Sequence, residues 1–197
     1  DYQRILFHDC KDFIETSPEK PAEKNLEKNE RSAAEIEVWM EKRQPTILAI
    51  NDLETQAMKF MNNGDLPAAV ETLASAEKTL DEASTKLPDE LMVQNLRGYH
   101  HKNLAILYQK AERPLKKEVE LEKAENAFQK VISVRPSDAS ALNGMGSVSI
   151  LRGELDAAKD FIGQALKIDP TYPEARHDRA LIDKIELERA RDAAPPQ

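Results

Sequence analysis

Two stretches of this chain repeat one pattern. NNGDLPAAVETLASAEKTL runs from Asn62 to Leu80, and RGELDAAKDFIGQALKIDP runs from Arg152 to Pro170. Each has a Gly, an acidic residue and Leu, then a pair of small residues, then apolar residues at helical spacing. Aligned on Ala68-Ala69 and Ala157-Ala158, the copies extend in both directions. Leu142, Met145 and Gly146 precede the later pair, and Ile162, Ala165 and Pro170 follow it. Leu53, Ala57 and Phe60 precede the earlier pair, and Leu73 and Ala76 follow it. A third copy lies between them, with Leu104, Ala105, Tyr108, Ala124, Phe128, Val131 and Pro136. A unit this small cannot bury its apolar face alone, so the copies must stack on one another.

Each copy reads as two amphipathic helices with a short break between them. The breaks are NNGDLP, AERP and RGEL. Gly64 and Gly153 suit a left-handed helix terminus, where a Cβ would clash. Pro67 and Pro114 suit a first helical turn, whose N–H groups have no intrahelical partner. Pro136 and Pro170 stop one helix and start the next pair. Asp138 and Thr171 are placed as N-caps. The spacing also departs from strict repetition. Ala69 to Pro88 spans 19 positions, against 12 from Ala158 to Pro170. Tyr108 to Ala124 spans 16. Each excess is about two helical turns, so both read as longer helices rather than as loops.

Large, apolar-small, aromatic, then Ala, a bulky residue and a closing Pro is an order that resembles the tetratricopeptide (TPR) repeat family. The resemblance runs from about Thr46 to about Arg191, and residues 137–170 match best. The other two copies lack Trp at the first hallmark, and Gln56 and His101 stand where apolar residues are expected. The resemblance implies an all-α fold: a right-handed α-α superhelix of about three TPR helix pairs, a C-terminal capping helix and one or two N-terminal extra helices. The expected divisions are 46–88 and 89–136, both lengthened, then 137–170, a cap over 171–192 and a frayed tail over 193–197. In the cap, Ala180 keeps the small position. Arg176, Arg179 and Asp183 replace apolar residues, as the polar end of an array requires. Ala175, Leu181, Ile182 and Ile185 are expected to face inward.

Residues 1–45 lie outside the repeat. Tyr2, Ile5, Leu6, Cys10, Phe13 and Ile14 make a helical stripe, and a charged, Pro-broken linker runs to residue 29. A lead-in helix over 30–45 carries Ala33, Ile36, Trp39 and Met40 on one side and ends near Pro45. Three readings of the first helix stay open. It covers the first repeat, it lies in a groove of its own chain or a neighbour's, or it is the remnant of an upstream domain. The start at Asp1 without Met leads us to expect a piece of something longer.

Composition narrows the function. The net charge is −8, with basic and acidic residues interleaved, which disfavours the phosphate backbone of nucleic acid. No apolar run approaches the roughly 18 residues of a membrane span. Cys10 is the sole cysteine, so no intrachain disulfide is possible. That fits a reducing compartment, and a cytoplasmic location is expected. His8, Asp9 and Cys10 are consecutive, so on a helix they diverge and cannot act as a relay. His100 and His101 have Asn103 and Leu104 where a zinc ligand would stand, and read as structural. GMGS at 144–147 falls inside a helix rather than in a phosphate loop, with Gly146 at the small position. We therefore expect no enzyme, no cofactor and no metal.

The resemblance implies that the first helix of each pair lines a concave groove that binds a peptide or protein segment, as a scaffold or adaptor. Its register places Asn51, Thr55 and Met58 there from the first pair. Tyr99, Lys102 and Asn103 come from the second, Ser140, Asn143 and Ser147 from the third, and His177 from the cap. Relatives that hold acidic chaperone C-termini use a clamp of Lys, Arg and Asn. Here Glu54, Met58, Ser140 and Gly144 occupy clamp places and only Asn103 survives, so a carboxylate clamp is not expected. The alternatives are a regulatory or targeting region of a larger protein or enzyme, and self-association through the N-terminal helix or the repeat ends.

Overall fold

The computed structural model describes the backbone of residues 33–86 and 91–192, with side chains from Pro45 onward. The expected stripe and linker of residues 1–29, the side chains of the lead-in helix, Pro88 and the tail lie outside the described residues. The chain divides into the units Asp1–Arg43 and Gln44–Gln197, and the second contains the repeat copies.

Every described element is a helix: α1 Ala33–Asn62, α2 Leu66–Lys86, α3 Leu91–Lys110, α4 Pro114–Val134, α5 Ala139–Arg152, α6 Leu155–Ile168 and α7 Pro173–Asp192. The described residues of the second unit form an all-α helical-repeat solenoid. Helices α3 and α4 pack as a hairpin, as do α5 and α6. Helix α5 lies against α4 and α3, α2 lies against α3, and α7 packs on both α6 and α5. Ala57, Met61, Ala69 and Leu73 tie α1 to α2, and Leu107 of α3 joins their cluster. Helices α2 and α4 have 21 residues each, against 14 in α6. The seven-residue excesses therefore sit inside helices. Two extra turns lengthen a helix while nearly keeping its buried face.

The three breaks close in one way. The N–H of Asp65, Arg113 and Glu154 reaches back to the carbonyls of Phe60, Tyr108 and Ser149, at 2.9 Å in all three. That closure needs a left-handed residue just before. Gly64 and Gly153 supply it at φ 80° and 83°, whereas the middle break forces Glu112 to φ 55°. Pro114 opens α4, and the Asp138 carboxylate caps α5 by accepting from the Ala141 N–H at 2.9 Å.

Two local expectations are corrected. Pro45 does not end a helix, because α1 runs through it. Pro45 is exposed, so the carbonyl it leaves without a donor can be met by water. Thr171 is not a cap. Its hydroxyl and its N–H both donate to Asp169 Oδ1 at 2.8 Å, and the first bond of α7 runs from the Arg176 N–H to the Tyr172 carbonyl.

The small residues sit where helices approach most closely. Ala69, Ala105, Ala124, Ala158 and Ala175 are fully buried. Phe128 is fully buried too, and its ring lies against the backbones of Gly98 on α3 and Gly144 on α5. Tyr99 meets it edge-on at 5.1 Å. A Cβ on Gly146 would stand 2.5 Å from Ile162 Cγ1, so that position is small because α6 crosses it. In α7, Ala175 and Ile182 are buried and Ile185 is half-buried. Leu181 is 37% exposed and Ala180 is exposed, contrary to expectation. The inward stripe of α7 runs 175, 178, 182, 185, the 3.6-residue period counted from Ala175.

Candidate polar binding face

The first helices of successive pairs each carry a polar stripe. On α1 it is Asn51, Glu54, Thr55 and Met58; on α3 it is Asn95, Tyr99, Lys102 and Asn103. On α5 it is Ser140, Asn143 and Ser147, and α7 continues it with Glu174 and Asp178. Spacings of three, four and seven residues put each set on one helical face. A polar stripe on a buried helix face is costly unless it is hydrogen-bonded, and here it is bonded from helix to helix.

Glu54 of α1 joins α3 twice. Its Oε1 lies 2.5 Å from His100 Nδ1, and its Oε2 accepts from Asn103 Nδ2 at 2.7 Å. Between α3 and α5, Asn95 Nδ2 donates to Ser140 Oγ at 2.9 Å, and the Tyr99 hydroxyl donates to the Ser140 carbonyl at 2.8 Å. Between α5 and α7, Ser147 Oγ donates to Asp178 Oδ2 at 2.6 Å. The Lys102 ammonium lies 5.0 Å above the Tyr99 ring, within reach of a cation–π attraction. His101 points to a different place, where Nδ1 meets Glu120 Oε2 at 2.8 Å and Lys123 bonds the other oxygen.

Burial sets the proton affinities. It pushes the Tyr99 hydroxyl up to about 12, against the lowering effect of its hydrogen bonds with Ser140, Tyr172 and Asn143. It pushes Tyr172 well above its usual range, helped by the adjacent Tyr99. Burial lowers Lys102, and the carboxylates of Asp178, Glu54 and Glu174 oppose that shift. His101 is lowered by burial against the opposing pull of Glu120. The charged forms of all four are disfavoured by loss of water.

Of the residues placed here from sequence, Tyr99, Lys102, Ser140 and Asn143 gather in one patch with Tyr172. Asn103 and Ser147 are buried and committed to Glu54 and Asp178. Asn51 and Thr55 are half-buried on α1, and Met58 packs partly into the α1–α2 core. His177 is exposed and makes none of these bonds. Sequence reasoning missed Asn95, Glu174, Asp178 and Tyr172, and it read His100 as structural without finding its partner. Counting the period of α7 from Ala175 would have found Asp178, and Glu174 stands one turn before Asp178. Gly144, treated from sequence as a clamp place, is closed off by the Phe128 ring. Among the described residues no three His, Cys, Asp or Glu side chains converge in a metal-binding group. No described helix is long and apolar enough to cross a membrane. A separate cleft lined by Gly153, Asp156, Glu186 and Arg189 contains none of the stripe residues.

No protein-family model matches the chain, and no curated protein matches it. Among solved structures it is similar to the C-terminal TPR-containing domain of a Plasmodium falciparum protein described as FK506-binding. The identity is 20%, the match covers 75% of this chain and 93% of that one, and the TM-score is 0.38. A likeness at that TM-score carries no argument about partner or activity.

Proposed function

We propose that this chain is a non-catalytic interaction module that holds a peptide or protein segment on the polar face of α1, α3, α5 and α7. The observation that supports this is the bonded polar ladder itself. A face made only to pack would be apolar, and one made only to meet water would not hold its side chains in helix-to-helix bonds. Here Glu54, Tyr99, Asn103, Ser140 and Ser147 are held in fixed positions. A segment docking there does not have to order the surface that receives it. Asn and Ser side chains both donate and accept, which suits a peptide backbone.

The test is a selection of peptides from a random library on the immobilised chain. Enriched peptides are then measured against Glu174→Gln and against an Asn51→Ala/Thr55→Ala pair, each checked for unchanged helical circular dichroism. Loss of binding in these variants is expected. A library that yields no enriched peptide, or peptides held equally by every variant, overturns the proposal.

A further inference from the structure

The buried side-chain atoms that lack a partner among the described residues are Asn95 Oδ1, His100 Nε2, Asn103 Oδ1, Asn143 Oδ1 and Glu174 Oε2. All five belong to α3, α5 and α7, the helices of the polar face. His100 and Asn143 are each 1% exposed and Asn103 is 6% exposed. Four of the atoms are oxygens that can only accept. The fifth is the His100 ring nitrogen opposite the one that meets the Glu54 carboxylate. Four of the five unpartnered atoms are therefore acceptors.

Fixed charge points in the same direction. Glu54, Glu174 and Asp178 all act on Lys102, and Glu174 also faces Tyr99 and Tyr172. The carboxylates that act on this part of the face outnumber its one ammonium, which is itself turned over the Tyr99 ring. An acidic segment arriving here meets a net negative field and one cation already engaged. A basic segment meets carboxylate oxygens and unpaired amide oxygens.

From these observations we infer that the occupant of this face is a basic peptide segment. Its lysine or arginine side chains and backbone N–H groups go to the half-buried Glu174, Asp178 and Asn95. The inference rests on the reading of this face as a binding surface and adds the chemistry of what binds.

The full chain is titrated by fluorescence anisotropy into three labelled peptides of equal length. One has Lys and Arg interspersed with Ser, one has Asp and Glu in the same places, and one is neutral. The basic peptide is expected to bind, and to weaken as salt is raised. Glu174→Gln should weaken it roughly tenfold or more, whereas Glu122→Gln, an exposed carboxylate of α4, should leave it unchanged. Lys102→Met, which removes the competing cation, should tighten it and serves if Glu174→Gln disturbs the fold. An acidic or neutral peptide that binds as tightly overturns the inference while keeping the binding face. Equal weakening by Glu122→Gln also overturns it, since the attraction would then be to the whole acidic chain. If no peptide of any class binds, the binding-face reading itself fails.

Discussion

One substitution, glycine to alanine inside a helix, should have opposite signs at two places in this chain. Alanine is favoured over glycine in a helix interior by about 1 kcal/mol, through backbone entropy. At Gly163 of α6, an added Cβ has nothing within 4 Å, so the full gain should appear. At Gly144 of α5, the added Cβ would stand 2.7 Å from Phe128 Cδ1 and closer still to its Cε1. The ring cannot retreat, because Gly98 bounds it in the same way from α3 and it is fully buried. Overpacking of that kind costs about 3 kcal/mol at the upper end of its range. Less the helix gain of about 1, the net loss is about 2 kcal/mol. Urea titrations followed by circular dichroism should therefore move the Gly163→Ala midpoint up and the Gly144→Ala midpoint down. Melting temperature should fall by about 4 to 8 °C for Gly144→Ala in a chain of this size. In a Phe128→Leu background, the Gly144→Ala penalty should shrink by about 1 kcal/mol or more, since the two sites are in contact. If Gly144→Ala is neutral or stabilising in the native background, the ring is not clasped between α3 and α5, and the packing argument is wrong.

Other outcomes rest on the same physics. Glu112→Gly should stabilise the chain by about 0.5 to 1 kcal/mol in urea, because it relieves a left-handed residue where the other two breaks carry glycine. Glu54→Ala leaves buried His100 and Asn103 without their acceptor, and should cost about 3 kcal/mol by the same measurement. Tyr99 binds its proton more tightly folded than unfolded. Its contribution is therefore complete below pH 10 and is lost as pH rises toward about 12, a loss of about 2 to 3 kcal/mol. Absorbance titration near 295 nm should show late-ionising tyrosines that titrate together with loss of helix, and a Tyr99→Phe variant should resist that alkaline loss. His101 has the opposite sign. Its folded affinity lies below 6.5, so stability should decline as pH falls through that value, and His101→Gln should flatten the decline.

What the sequence determined by itself is local. The order of small, bulky and breaking residues set the helix pairs, the left-handed Gly64 and Gly153, the Pro114 start and the Asp138 cap, because each depends on a few neighbouring dihedrals. It also set the two lengthened helices, since the turns added by seven residues can be counted along one chain. Its register put Tyr99, Asn103, Ser140, Asn143 and Ser147 on one side of their helices. Tertiary structure decided the rest. Glu54 meets His100 and Asn103 across 46 and 49 residues of sequence, and no periodicity within one helix specifies which carboxylate faces which imidazole. The clasp of Phe128 by Gly98 and Gly144 likewise needs α3, α4 and α5 together. Pro45 is tolerated inside α1 although a local rule would end the helix there. Such features come from the approach of surfaces remote in sequence, and the free energy of that approach is absent from any local pattern.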